Sequence, residues 1–124
     1  MSKLKNLIAE LERNVTNASE GLPDEIFYFV SRLTPYVNVD LLIDIPEKGI
    51  LLTWRDDEYT GAGWHIPGGI IRFKENAKKR VDFVAQRELG IKIDFSKGPV
   101  EFNEVIANEM MKWKLCYFIK TYFF

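Results

Sequence analysis

The feature that most constrains the fold of this chain lies within residues 64–91. It is a pair of glycines followed by a helical pattern that ends at another glycine. Gly68 and Gly69 follow a proline, and the helical pattern runs from about Glu75 to Leu89. Because glycine has no Cβ, the pair lets the backbone turn tightly and approach a ligand closely. Pro-Gly-Gly alone is typical of a simple turn, so its significance depends on the charged helix that follows.

The apolar periodicity on either side of this segment defines the remaining elements. Residues 3–15 and 24–33 have helical spacing, and Pro35 ends the second helix. The period then changes to two in VNVDLLID, ILLTWR and VEFNEVIA, which predicts strands. Two helices, a hairpin, a Gly-rich loop, a helix and at least two further strands are typical of an α/β protein of the α+β type with a mixed sheet. We predict an N-terminal helical extension over residues 1–34 and one domain over residues 35–124.

The composition is that of an ordinary globular protein and excludes several functional classes. The 124 residues carry a formal net charge of −1, which offers no basic surface for nucleic acid. The longest apolar run, residues 26–30, is far shorter than the ~20 residues needed to cross a bilayer. Cys116 is the single cysteine, and the charged N-terminal segment is unlike a signal peptide. We therefore expect a cytoplasmic protein that binds neither nucleic acid nor membrane.

Residues 63–91, GWHIPGGIIRFKENAKKRVDFVAQRELGI, resemble the Nudix hydrolase signature. Gly69, Glu75, Glu88 and Gly90 lie at the spacing of that family's glycine, first glutamate, last glutamate and closing glycine. The resemblance implies a Nudix-like α/β/α sandwich, in which a strand-loop-helix-loop unit binds the diphosphate of a substrate through a divalent metal. It also implies Mg²⁺ as the cofactor, with Mn²⁺ as the alternative.

Glu88 and Glu75 are the carboxylates expected at this metal, as ligands and in catalysis. Hard divalent cations prefer oxygen ligands, and one or two carboxylates together with substrate phosphates suit Mg²⁺. The simpler interpretation of Glu88 is a solvated helix carboxylate. For Glu75 it is an acidic residue in a first helical turn, where the macrodipole favours negative charge.

The helix departs from the Nudix pattern near its end. The family has an Arg-Glu pair and a Glu-Glu pair there, whereas this chain has Phe83-Val84 and Arg87-Glu88. Because positions 84, 87 and 88 share one face of a helix, the usual carboxylate cluster is reduced to Glu88, and we expect weak metal affinity. Arg80 lies about one turn before Phe83, so we hypothesise that it supplies the missing cation and holds one of the two glutamates.

Residues 27–90 are most similar to the GDP-mannose mannosyl hydrolase branch of the family. The shared features are Ser-Arg-Leu-Thr-Pro at residues 31–35, an Asp in the first strand and an Arg ending the second, here Asp40 and Arg55. The resemblance implies that the backbone carbonyl of Gly68 holds Mg²⁺ together with the last glutamate. It also implies that Asp40 and Arg55 stabilise developing charge and bind the phosphates.

The remaining substrate contacts follow from the same resemblance. The branch has an arginine directly after its glycine pair, where this chain has Ile70. Arg72 lies two residues further on, on the same side of a strand, and we expect it to substitute. Together with Arg55, Gly69 and Arg80 it completes the predicted substrate-binding residues.

The sequence leaves the general base open. The branch takes a glutamine ligand and a histidine base from a loop well beyond the box, and the printed sequence ends before such a loop. Its glutamine, Gln86, lies in the box helix, and its histidine, His65, lies beside the glycine pair. Glu104 and Glu109, after the helix, are the other candidate bases. A packed or exposed strand residue is the simpler interpretation of His65.

Residues 110–124 are predicted to form a long strand with an apolar edge. The segment alternates poorly and ends in Tyr-Phe-Phe without a polar cap. An exposed edge of this kind pairs readily with another chain. We therefore predict a homodimer in which this tail, the N-terminal helix, or both cover a partner.

Two functions are consistent with the sequence. The first is a Mg²⁺-dependent hydrolase of a nucleoside-diphosphate sugar or a related nucleoside diphosphate derivative, similar to the GDP-mannose mannosyl hydrolases. The second is a catalytically weak or inactive Nudix-like module that binds nucleotides or regulates, which Val84, Arg87 and the absence of the late loop from the printed sequence favour. Fold alone does not decide between them.

Overall fold

The computed structural model describes residues 2–57, 61–93, 101–106 and 117–123, and of residues 57, 101–106 and 117–123 it describes the backbone alone. None of the helices in this part of the chain is long and apolar enough to cross a membrane. The elements belong to the α+β class. The helices are α1 (Lys3–Arg13), α2 (Asp24–Ser31) and α3 (Ala77–Val84). The strands are β1 (Tyr36–Leu41), β2 (Asp44–Ile45), β3 (Gly49–Ile50), β4 (Thr53–Asp57), β5 (Gly61–His65), β6 (Gly68–Ile70), β7 (Glu101–Ile106) and β8 (Tyr117–Phe123).

Both helices predicted before Pro35 are present. Ser2 caps α1, because its hydroxyl oxygen accepts a hydrogen bond from the backbone N–H of Lys5 at 3.2 Å. A short 3-10 helix, Ala18–Glu20, connects α1 to α2. The first turn of α2 contains two acidic residues, which the helix macrodipole favours. The second helix ends at Ser31, two residues earlier than predicted.

One aromatic contact joins α2 to β1 across the predicted boundary between extension and domain. The rings of Phe27 and Tyr36 stack with centroids 4.6 Å apart and planes 9° from parallel. The Tyr36 hydroxyl also donates a hydrogen bond to the carbonyl of Phe27 at 2.7 Å. Burial raises the pKa of Tyr36 from 10.0 to about 12, since the phenolate would lose solvation there. The helical extension is thus attached to the sheet at this point.

The largest sheet has the strand order β6, β1, β8, β7. β1 pairs parallel with β8 and antiparallel with β6, and β7 pairs antiparallel with β8. The mixed sheet predicted from the sequence is therefore confirmed. Two antiparallel hairpins, β2 with β3 and β4 with β5, account for the other described strands.

The predicted apolar edge at residues 110–124 is wrong for the part of it that the structure describes. β8 lies between β1 and β7 and pairs with both along its length, so neither of its edges is available to another chain. Poor alternation suits such an internal strand, because both of its faces can be covered. Of the two surfaces proposed for a homodimer, α1 retains its basis, since none of its residues is buried. The exposed apolar residues of α1 are Leu4, Leu7, Ile8 and Leu11.

α3 packs on β1 and β6 and forms the core with them. The buried apolar residues there are Val39, Leu41, Val81, Val84 and Ala85. The Asn76 side chain caps α3 by accepting a hydrogen bond from the backbone N–H of Lys79 at 2.8 Å. The helix therefore begins after Glu75, and the expectation that Glu75 lies in its first turn is wrong. α3 continues into a π-helical turn, Ala85–Leu89, which Gly90 ends with a φ of 65°.

The glycine pair does not form the predicted tight turn. Gly68 and Gly69 are paired residues of β6, opposite Asp40 and Val39 of β1. Neither glycine has a positive φ, so left-handed backbone is not the reason for glycine here. The reason is close packing. A Cβ on Gly68 would overlap the Asp40 carboxylate and come within 2.7 Å of the Val39 carbonyl oxygen.

Candidate functional site

A buried ion pair joins Glu75, which lies just before α3, to Arg80, which lies near the start of α3. Nε of Arg80 donates to Oε1 of Glu75 at 2.6 Å, and Nη2 donates to Oε2 at 2.9 Å. The backbone N–H of Arg72 donates to the same Oε1 at 3.4 Å. Each of the two paired side chains is only 5% exposed. Arg80 thus holds one of the two glutamates for which the sequence proposes it.

This pairing lowers the pKa of the Glu75 carboxyl. The largest cause is the side-chain hydrogen bond from Arg80, against which burial acts in the opposite direction. The backbone N–H of Arg72 and the positive charges of Arg80 and Lys79 lower the pKa further. Glu75 is therefore held as a carboxylate with both oxygens engaged, which suits an ion pair better than a metal ligand.

Glu88 lies in the π-helical turn and makes looser contacts. Its Oε1 accepts from Nη2 of Arg55 at 3.3 Å and from Nη2 of Arg87 at 3.4 Å. Arg55 belongs to β4, so two predicted site residues that are 33 positions apart in the chain meet here. The Glu88 side chain is 13% exposed, and its Oε2 is buried without a hydrogen-bond partner among the described residues. A buried oxygen of this kind has capacity for a further ligand.

Asp40 lies on the face of the sheet away from α3. It pairs with Gly68 across β1 and β6, whereas Val39 pairs with Gly69 and packs in the core beneath α3. Because neighbouring strand residues point to opposite faces, Asp40 leaves the sheet on the face away from α3. There its Oδ1 accepts a hydrogen bond from the Asn38 amide at 2.8 Å, and the residue is buried.

Gly69 lies on the face of the sheet that contacts α3. A Cβ at this position would come within 3.2 Å of Cγ2 of Val84 and 3.3 Å of Cδ of Arg80. The glycine therefore lets the helix approach the strand closely and seats Arg80 against β6. The structure supports a packing role for Gly69, and substrate binding by this residue remains a prediction.

Three guanidinium groups surround the exposed ring of Phe83. The Cζ atoms of Arg80, Arg87 and Arg72 lie 4.5, 5.4 and 5.8 Å from its centroid. The ring face of an aromatic residue attracts cations, so Phe83 can hold all three. The sequence interpretation treated Phe83 and Arg87 only as departures from a family pattern and missed this cluster. A count of charges over residues 72–88 would have indicated it, since they include six Lys or Arg and three Asp or Glu.

The candidate bases have different locations. His65 ends β5, is partly buried, and its carbonyl oxygen accepts a hydrogen bond from the Thr53 hydroxyl at 3.3 Å. Gln86, the glutamine compared with the metal ligand of the related branch and not a candidate base, is exposed in the π-helical turn. Glu104 lies in β7, where the backbone alone is described, and Glu109 lies outside the described residues. The identity of a general base therefore stays a prediction.

Among the two glutamates predicted as metal ligands, Glu88 has an oxygen that could bind a divalent cation. Of the two glutamates, Glu88 has a buried oxygen, Oε2, that remains available, while Arg80 engages both oxygens of Glu75. Within the described ranges, no group of three or more His, Cys, Asp or Glu side chains is placed to hold a metal ion. A metal at Glu88 would therefore need backbone, water or substrate oxygens as its other ligands, which is usual for Mg²⁺.

Comparison with known proteins shows a distant relationship. No family model matches this chain. The chain is similar to the low-salt glycan biosynthesis protein Agl8 of Haloferax volcanii, with 29% identity over 86 residues. The match covers 69% of this chain and 54% of that protein, so the chain spans about half the length of the curated relative it matches.

Proposed function

We propose that this chain is a Mg²⁺-dependent hydrolase of a nucleoside-diphosphate sugar or a related nucleoside diphosphate derivative, with a Nudix-like α/β/α sandwich. The observation that carries the proposal is the meeting of Arg55 and Glu88 at 3.3 Å, with the second oxygen of Glu88 buried and available. A carboxylate and a guanidinium from separate elements are the pair that binding a metal and a diphosphate requires.

Glu88 is the residue that would hold Mg²⁺, through Oε2, with the backbone carbonyl of Gly68 as the second protein ligand predicted by resemblance. When bound, the metal would neutralise charge on the diphosphate and make it a better leaving group. Glu75 is not used in this proposal, because Arg80 donates to both of its carboxylate oxygens, and its roles as a metal ligand and in catalysis stay predictions.

Arg55 is the residue that would meet the charge developing on the leaving diphosphate. Its hydrogen bond to Glu88 is long at 3.3 Å, and its side chain is 36% exposed, so a ligand can reach the guanidinium. A guanidinium positioned where negative charge grows stabilises the transition state more than the ground state. Asp40 supports the proposal less, since it lies on the other face of the sheet.

The similarity to Agl8 is consistent with this substrate class. That protein's name places it in glycan biosynthesis. Glycans are assembled from activated sugars, among which nucleoside-diphosphate sugars are prominent, so an enzyme of this chemistry would suit such a setting.

The proposal is tested by incubating the protein with a panel of nucleoside-diphosphate sugars and Mg²⁺ and measuring release of sugar and nucleotide. Glu88→Gln should lower turnover by about 10²–10³-fold, because the amide cannot serve as an anionic ligand. The matched control is Asp82→Asn, which removes a carboxylate from the same helical segment whose ion pair among the described residues is with Lys78. Equal turnover in the two variants, or turnover that persists in EDTA, would contradict the proposal.

A second candidate function is a Nudix-like module that binds a nucleotide without hydrolysing it. It is favoured by the engagement of both Glu75 and Glu88 with arginines and by the position of Asp40 on the face of the sheet away from α3. Binding of nucleoside diphosphates without turnover of any sugar conjugate, in the presence of Mg²⁺, would support this alternative over the hydrolase.

A further inference from the structure

Phe83 and the three arginines around it form a cluster, here called the Phe83 platform, of which the sequence assigns only Arg72 and Arg80 to substrate binding. The geometry points to a role for this platform: it binds the diphosphate group of the ligand through guanidinium groups, without requiring a divalent metal. The inference deepens the proposed function and rests on it for the identity of the anion as a diphosphate.

The first argument is the local charge. Residues 72–88 carry six basic and three acidic side chains, a formal excess of +3, in a chain whose net charge is −1. Within the platform, Arg80 is neutralised by Glu75, and Arg87 shares Oε1 of Glu88 with Arg55. Among the described residues no carboxylate pairs with the Arg72 side chain. The platform is therefore positive overall, and an anion would relieve the repulsion between its members.

The second argument is that the guanidinium groups are held before a ligand arrives. The phenyl ring attracts all three cations to one place. The Arg72 guanidinium also lies near Gly21, since a Cβ added at that glycine would be 3.8 Å from its Cζ. Groups fixed in this way lose little conformational freedom on binding, which favours affinity.

The third argument concerns which residues contact the ligand. Arg80 donates two hydrogen bonds to Glu75. It is therefore a positioning residue that holds the Phe83 ring in place and does not contact the ligand. The planar guanidinium groups of Arg72 and Arg87 are more exposed or make fewer hydrogen bonds than that of Arg80. Each can therefore donate to two phosphate oxygens at once. Arg87 also contacts Glu88, which places the platform beside the group that the proposed function uses.

The test is calorimetric titration of the whole chain with inorganic pyrophosphate in EDTA, with inorganic phosphate as the comparison ligand. We expect pyrophosphate to bind and phosphate to bind more weakly, because it offers fewer oxygens to the two arginines. Arg72→Ala and Arg87→Ala should each weaken pyrophosphate binding by about tenfold, and Phe83→Leu by several-fold. Arg87→Lys should recover only part of the loss, since lysine keeps the charge but lacks the planar fork.

The matched control is Lys78→Ala, which removes one positive charge from the same helix at an exposed pair with Asp82. It should change affinity by less than about twofold, since an exposed charge away from the platform is screened. The inference is overturned if wild-type protein binds pyrophosphate only with Mg²⁺, or if Arg87→Ala behaves like Lys78→Ala. Hydrolysis combined with strictly Mg²⁺-dependent pyrophosphate binding would sink the inference and leave the proposed function standing. Binding in EDTA without any hydrolysis would do the reverse.

Discussion

Glu75 lies just before α3, and Glu88 lies in the π-helical turn that follows α3. Both glutamates are held by arginine, but the two pairings differ in distance, in the number of oxygens engaged and in burial. Before α3, Arg80 donates hydrogen bonds to both oxygens of Glu75 at 2.6 and 2.9 Å, and both side chains are 5% exposed. At the end, Arg55 and Arg87 share one oxygen of Glu88 at 3.3 and 3.4 Å. Two carboxylates that look equivalent in a sequence motif therefore have different tasks: one fixes the structure, and the other is available to a ligand.

The difference follows from burial. A buried ion pair needs complete hydrogen bonding to offset the cost of removing both charges from water, and the bidentate geometry at Glu75 supplies it. The arginines at Glu88 are partly exposed, so water screens their attraction and compensates for imperfect geometry. A ligand can displace the second arrangement far more easily than the first.

The largest expected effect is on stability, from Arg80→Met. Methionine keeps much of the side-chain volume but leaves the Glu75 carboxylate buried without its cation, which should destabilise the fold by about 3–5 kcal/mol. Urea unfolding followed by circular dichroism measures this change. Lys78→Met, at an exposed pair on the same helix, serves as the control and should cost less than about 1 kcal/mol.

A double variant, Glu75→Leu with Arg80→Met, sharpens the same comparison. Removing both charges leaves no orphan, so most of the stability lost in Arg80→Met should return. If Arg80→Met alone unfolds no more easily than the Lys78→Met control, the interpretation of Glu75 and Arg80 as an ion pair that stabilises the fold is wrong.

An intermediate effect is expected from acid. The folded-state pKa of Glu75 lies below the ordinary value of 4.5, so the unfolded chain takes up the proton first as the pH falls. The contribution of the pair is thus fully present above about pH 5 and is lost as the pH drops through the folded-state pKa. Urea midpoints measured across this range should fall with acid in the wild type. In Glu75→Gln the fall should be shallower, and identical slopes in the two proteins would argue against the pairing.

The smallest expected effect is on stability at the other end of the helical segment. Glu88→Gln and Arg87→Ala should each change the free energy of unfolding by about 0.5 kcal/mol or less, since their contacts are long and partly exposed. Both variants are nevertheless expected to change ligand binding. A stability loss comparable to that of Arg80→Met would erase the distinction between the two ends and assign Glu88 a structural role.

Much of the fold followed from local patterns in the sequence. The helices before Pro35, the helix ending at Gly90 and most of the period-two strands are present because each depends on neighbouring residues in the chain, although the predicted strand ILLTWR is divided between β3 and β4. The mixed sheet followed from the order of these elements. In the candidate site, the proposed role of Arg80 as the partner of a glutamate matches the observed ion pair, since one helical turn separates it from the position it replaces.

The features that the sequence did not predict depend on three-dimensional contacts. The cap at Asn76 places Glu75 outside α3, and a single hydrogen bond to Lys79 decides that boundary. The glycines at 68 and 69 are required by side chains from β1 and α3 rather than by a turn. The overall charge of −1 also concealed the local excess of positive charge around Phe83, because averaging over a chain removes the information on where charges gather.

The internal position of β8 has a consequence for how this protein folds. Among the described strands β1 and β7 are joined only through β8, and the parallel pairing aligns Tyr36 with Phe118, about eighty positions later in the chain. Closing so long a loop is slow compared with forming helices or hairpins. We therefore expect refolding kinetics to be limited by the docking of residues 117–123. Before that step β1 presents an unpaired edge, and aggregation competes with productive folding at this stage.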